Sequence, residues 1–236
     1  MIVNARAWRA ALFLAVIWST APASAAAQVY IGRDAPHAGT LEITGGVVWS
    51  GGFDLGSVTA DETRNTGSGT GPFSLFTVSS RMNSAPAAQG RLGVYLAKSA
   101  SIEAGLLFGR PNASSRLTGD AESALEVTAT ERLTRVIVDG SLVLHLSGLS
   151  FAAGKGVPFV LGGGGYIREL HEKNEVIETG REYHAGAGLH LWFGTGGKHR
   201  LGLRTDVGLS WRTGGADIPD TRRTIPTAGV SLAYLF

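Results

Sequence analysis

The feature that most constrains this chain is a period of two, sustained from one segment to the next. In "RLTRVIVDGSLVLHLSG", Val136, Val138, Leu142, Leu144 and Leu146 fall on one parity. Arg135, Asp139, Ser141 and His145 fall on the other, with Ile137 and Val143 among them. Successive side chains of a β-strand point to opposite faces, so alternation of this length predicts a long strand with one apolar face. A helix would need its apolar residues at every third or fourth position instead.

Seven more segments carry the pattern. In "TLEITGGVVWSG", Leu41, Ile43, Val47 and Trp49 oppose Glu42, Thr44 and Ser50. "GRLGVYLAK" sets Leu92, Val94 and Leu96 against Arg91, Gly93 and Tyr95, and "SIEAGLLFG" sets Ile102, Ala104, Leu106 and Phe108 against Glu103 and Gly105. "PFVLGGGGYIR" is read with Phe159, Leu161 and Ile167 on the apolar side and Gly162, Gly164, Tyr166 and Arg168 on the polar side. "EYHAGAGLHLWF" places Tyr183, Leu189, Leu191 and Phe193 opposite His184, Gly186, Gly188, His190 and Trp192. "RLGLRTDVGLSWR" places Leu201, Leu203, Val207, Leu209 and Trp211 opposite Arg204, Asp206, Ser210 and Arg212. "AGVSLAYLF" places Ala228, Val230, Leu232, Tyr234 and Phe236 opposite Gly229, Ser231 and Ala233. That makes about eight strands, the smallest even number from which single-chain bacterial membrane barrels are built.

The N-terminal "MIVNARAWRAALFLAVIWSTAPASAAAQ" has two arginines, a short apolar run and then small residues, the layout of a secretory signal peptide over residues 1–27. Its apolar run is too short to span a bilayer. Arg6 and Arg9 are the only charges before Gln28, so 21 basic residues become 19, against 19 acidic ones. With no basic excess, nucleic acid is not an expected partner. The absence of cysteine excludes a disulfide framework and a thiolate metal site. An exported β-rich chain leaves two options: a soluble periplasmic β protein or an outer-membrane barrel.

Loop lengths and face chemistry separate them. The connections alternate long and short, with long segments around Thr66 and Ala124 and a short one at Ser99 to Ser101. Outer-membrane barrels have short periplasmic turns and longer external loops. The polar parity carries both charge signs with few lysines. Glu42, Glu103, Asp139 and Asp206 face Arg91, Arg135, Arg168 and Arg204, with His145, His184 and His190 among them. Those residues are expected to neutralise one another in a narrow lumen, because an unpaired buried charge is very costly. With strands running alternately up and down from a periplasmic start, Trp49, Phe108, Tyr183 and Trp211 fall near the external end. Phe159, Phe193, Tyr234 and Phe236 fall near the periplasmic end. Two aromatic girdles on a lipid-facing surface are the expectation. The fold expected is therefore all-β: an eight-stranded antiparallel up-and-down transmembrane β-barrel over 40–236, after a short periplasmic segment at 28–39.

On these residues the chain resembles the small outer-membrane barrels of the OmpA-like and OmpW-like kind. The resemblance spans the mature sequence and is most specific in "AGVSLAYLF". Tyr234 and Phe236 match the two aromatic positions of a C-terminal signal that the family's assembly machinery reads, while Ser231 stands where that signal commonly has Gly. The resemblance implies outer-membrane lipid, lipopolysaccharide and the assembly machinery as partners, and no cofactor. It implies a structural or surface-interaction role for a barrel with a filled lumen. A narrow pore or carrier for small hydrophobic molecules is an alternative, and a lipid-modifying enzyme another.

Other motifs carry less. "HLS" at His145 to Ser147 is similar to the His/Ser pair of lipid A deacylase barrels, but the longer motif is missing and both residues share the inward parity. His145, His184 and His190 could hold zinc only if they converged. "GGGGY" at Gly162 to Tyr166 has no following Lys-Ser/Thr and opens no helix, so it reads as close packing rather than a phosphate loop.

Overall fold

The computed structural model describes residues 36–62, 73–120, 126–171, 177–193, 199–214 and 222–236. The signal-peptide segment, most of 28–39, Thr66 and Ala124 lie outside the described residues. Among the described residues eleven strands occur in chain order: β1 (Leu41–Ser50), β2 (Phe53–Glu62), β3 (Phe73–Met82), β4 (Ala85–Ala97), β5 (Ala100–Gly109) and β6 (Asn112–Thr118). They continue with β7 (Val127–His145), β8 (Gly156–His171), β9 (Ile177–Phe193), β10 (Arg200–Gly214) and β11 (Arg223–Leu235).

Eight of them, β1, β4, β5, β7, β8, β9, β10 and β11, pair antiparallel in that order, and β11 pairs back onto β1. The seam ends where the Phe236 amide donates to the Leu41 carbonyl at 2.9 Å. No barrel edge is left open, which hydrocarbon demands. The register fixes the barrel's geometry. From Tyr234 the paired residues run through Ile43, Leu92, Ala104, Gly140, Gly164, Tyr183 and Trp211, and return to β11 at Thr224, ten residues from the start. Eight strands with that stagger tilt by about 40°.

The remaining strands form a feature that the period-two pattern did not single out. β2, β3 and β6 pair in series with the first part of β7, so a four-stranded sheet stands above the barrel, at the end that the expected strand orientation makes external. Its inward side holds the buried cluster Leu55, Met82 and Leu133 with Phe53 and Ala113. Arg223 ties it to the barrel, donating to the Leu55 carbonyl at 2.9 Å and lying over the Phe53 ring. The outward side carries Ser57, Thr59, Thr77, Ser79, Ser114 and Thr118, and the apolar inward side is interrupted by a bulge at Gly56 and by Ser80 and Ser115, so no unbroken period of two marked these stretches as strands.

Inside the barrel, glycines make room for large side chains. A Cβ on Gly188 would lie 2.2 Å from the Thr205 carbonyl and 2.4 Å from the Phe159 ring. Gly188→Val is therefore expected to destabilise the refolded barrel by about 1–3 kcal/mol, as overpacking does, read as a lower urea midpoint. An unchanged midpoint would mean that both the Thr205 backbone and the Phe159 ring are free to move aside.

Candidate functional site

The barrel is inside out relative to a soluble protein. Leu92, Leu106 and Leu232 are 51%, 54% and 58% exposed on the outer wall, whereas Arg204 in the lumen is 1% exposed. Charged side chains tolerate that burial only when paired, and the lumen pairs them in tiers.

The lowest tier, at the end where β1 begins and β11 ends and which is expected to be periplasmic, is aromatic. Tyr95 stacks on His145 at 4.7 Å between centroids, His145 on His190 at 5.7 Å, and His190 on Trp192 at 5.2 Å. Tyr95 donates to Glu42 at 3.0 Å, and the other Glu42 oxygen lies 3.1 Å from His190 Nε2. Above it Arg204 donates to Glu103 at 2.7 Å, with Glu42 and Asp206 each at 3.8 Å and the Phe159 ring 4.7 Å beneath its guanidinium. In the middle Arg91 donates to Asp139 at 2.9 Å and to Ser141 at 3.2 Å, and Ser141 also bonds His184 at 2.8 Å. Towards the external end Arg135 pairs with Glu169 and Arg212 with Glu182.

Glu42, Arg91, Glu103, Arg135, Asp139, His145, His184, His190, Arg204 and Asp206 thus all sit in the lumen. Two expectations are corrected, both on β8. Arg168 is exposed on the outer wall, and Phe159, placed in the periplasmic girdle by the sequence, is 1% exposed inside the lumen. The strand's inward parity is set by Phe159, Ile167 and Glu169, all buried. Three apolar residues on the inward parity, Phe159, Leu161 and Ile167, made that side look like the lipid face, and the four glycines between Leu161 and Tyr166 offered no side chain to decide it. Glu169 and Glu182 are the lumen acids that the sequence reading left out. The alternation of Glu182 with Tyr183 was the available signal for the second.

The histidines do not converge. His145 and His190 stack, while His184 belongs to the middle tier. His145 Nε2 is engaged by Ser101 Oγ at 3.0 Å, and Ser147 has left the strand for a short 3₁₀ turn. A cavity of about 240 Å³ opens below the aromatic tier, lined by Tyr95, Lys98, His145, Ser147, Trp192 and Arg200 among others.

The aromatics of the outer wall form two levels. At a 40° tilt each step between paired strands climbs about 3 Å, and each residue along a strand about 2.5 Å. On that lattice Trp49, Phe108, Tyr183 and Trp211 fall within about 4 Å of one level, and Tyr166, turned outward by the parity of β8, joins them. Phe193, Tyr234 and Phe236 lie about 24 Å lower, close to the height of the apolar band of such barrels, about 25 Å. Tyr234 and Phe236 meet edge to face at 4.7 Å.

A closed, tilted eight-stranded barrel with an apolar wall and a paired-charge lumen has the architecture of bacterial outer-membrane proteins. Among solved structures, the outer membrane protein OprG from Pseudomonas aeruginosa is similar at a TM-score of 0.53, with 11% identity over 86% of this chain and 98% of that one. The likeness is one of fold. Ail, the attachment invasion locus protein of Yersinia pestis, aligns at 12% identity over 84% of this chain and 99% of its own, with a TM-score of 0.38. The outer membrane protein AlkL, solved in lipid bilayers, aligns at 15% identity over 85% and 91%, with a TM-score of 0.36. No family model matches the chain, and no curated protein matches it.

Proposed function

We propose that the protein is a sealed outer-membrane scaffold: a barrel that anchors an external sheet for contact at the cell surface, with a lumen that conducts nothing. One observation carries this reading. The tier of Arg204, Glu103, Glu42 and Phe159 crosses the lumen with side chains that are each no more than 6% exposed. Ions crossing it would have to break buried pairs, each costly to separate. The aromatic tier below adds a second layer. Above, the four-stranded sheet presents a hydroxyl-rich outward side and an edge strand, β2, suited to contacts with other surfaces.

Two features support an anchoring role for the wall. The aromatic levels match the two interfaces of a membrane, where amphipathic rings settle at headgroup depth. Tyr234 and Phe236 lie on the lower level, where the resemblance assigns an assembly signal.

Planar-bilayer recording tests the proposal. The refolded protein is expected to give no conductance steps, while Phe159→Ala combined with Arg204→Ala opens a path if the variant inserts. Discrete conductance of the unaltered protein would overturn the sealed lumen and favour a pore.

A further inference from the structure

The outward turn of Arg168 exposes a pattern with no place in the lumen. Along the barrel strands the outer wall carries no carboxylate among the described residues, yet it carries arginines, and only at the external end. Arg168 on β8 and Arg181 on β9 are exposed. So is Arg110, immediately after β5, with its guanidinium 5.7 Å from the Phe108 ring. On the barrel lattice all three lie roughly 5 Å above the upper aromatic level. Arg132 on β7 and Arg222, immediately before β11, lie higher, and both are exposed.

The register makes the spacing specific. Arg168 pairs with Thr179 and Arg181 with Tyr166, so the two arginines are diagonal neighbours on one face of adjacent strands. Diagonal neighbours are about 7–8 Å apart. Like charges at that distance repel, and among the described residues neither arginine has an acidic partner to relieve it. By contrast the external sheet's Arg116 is paired, with Glu126. An oxyanion placed between the Arg168 and Arg181 guanidinium groups would turn the repulsion into two charge-assisted contacts. Phosphate suits the planar fork of arginine, which can donate to it in parallel.

The level chooses the source of the phosphate. These side chains stand just above a ring of interfacial tyrosine and tryptophan, on the wall that faces lipid, at the depth of headgroups. We propose that Arg168 and Arg181, assisted by Arg110, form a clamp for the phosphate of an outer-leaflet phosphoglycolipid of the lipid A type. The clamp rests on the membrane-spanning reading above and deepens it by naming the lipid chemistry that the wall selects.

The experiment uses the refolded full chain in phosphatidylcholine vesicles with added bisphosphorylated lipid A, dephosphorylated lipid A or inorganic phosphate. Bound lipid A is measured after detergent washing. The unaltered protein is expected to retain the phosphorylated lipid in preference to the dephosphorylated one. Each surface arginine contributes about a fivefold factor in affinity, so Arg168→Gln with Arg181→Gln is expected to weaken retention by about tenfold or more. Arg116→Gln, in the external sheet, should leave it unchanged. Equal retention of the two lipids overturns the clamp without recourse to any variant. Full competition by inorganic phosphate at equal concentration overturns the lipid as its source. Insertion is read separately, from the heat-dependent mobility shift on gels. A barrel that inserts without discriminating the phosphate removes the clamp and leaves the scaffold standing, whereas conductance steps remove the sealed scaffold and leave the clamp.

Discussion

Deletion of Phe236 is expected to reduce insertion into the outer membrane by about tenfold or more, leaving export across the inner membrane intact. Two losses combine. The first is local: the Phe236 amide closes the last hydrogen bond of the β1–β11 seam, to the Leu41 carbonyl. Its ring, 46% exposed on the lipid face, packs edge to face with Tyr234. Burying a side chain of this size is worth about 1.5–3 kcal/mol, a factor of roughly ten to a hundred in an equilibrium. The second belongs to the resemblance, which implies that the same residue is the aromatic position of an assembly signal. The measurement is fractionation of cells expressing the variant. The deleted protein should accumulate in the periplasm, degraded or aggregated, and the heat-modifiable outer-membrane band should fade. Insertion at the unaltered level and rate would show that Phe236 is neither anchor nor signal. A Phe236→Trp variant separates the two losses, since it preserves an interfacial aromatic while changing the residue that is read.

The barrel was legible because lipid and lumen impose opposite chemistry on alternate residues. Where both signals were present in one strand, as in Val136 against Arg135 or Tyr183 against His184, parity could be read directly. Legibility failed where one signal was missing. On β8 the inward side carries Phe159 and Ile167, because the narrow lumen needs apolar filler as well as charge, and four glycines separate the informative positions. One misread parity there displaced Phe159, Tyr166 and Arg168 together. The external sheet was hidden for a different reason. Its outward side meets water, so hydroxyl and apolar residues mingle as they do in loops, and its pairing is set by contacts distant in sequence, such as Ser80 with Ser115. Pairings within the lumen were also beyond the sequence. Glu103 and Arg204 are 101 residues apart and meet only because the stagger of the barrel brings β5 and β10 to the same depth.

That pair supports the second expectation. Arg204→Met is expected to destabilise the folded barrel by about 3–5 kcal/mol, the usual cost of removing one partner from a buried ion pair. Methionine preserves much of the stem's packing against Phe159, so the loss isolates the charge. Three carboxylates lie within 3.8 Å of the guanidinium: Glu103 at 2.7 Å, Glu42 and Asp206. Glu42 retains Tyr95 and His190, but Glu103 is left with Arg91 at 3.8 Å alone. A Glu103 carboxylate left with so distant a partner, in a narrow low-dielectric space, is what the barrel cannot hold. Urea unfolding in vesicles, followed by tryptophan fluorescence, provides the measurement. The exposed Arg116–Glu126 pair is the internal comparison, since its removal by Arg116→Ala should shift stability by about 0–1 kcal/mol. Combining Arg204→Met with Glu103→Gln should recover a large part of the loss, because the second change removes the orphaned charge instead of adding a new defect. Non-additivity of this sign is the signature of direct coupling. Equal midpoints for Arg204→Met and Arg116→Ala would mean that water reaches the centre of the lumen, and the sealed scaffold would then be untenable.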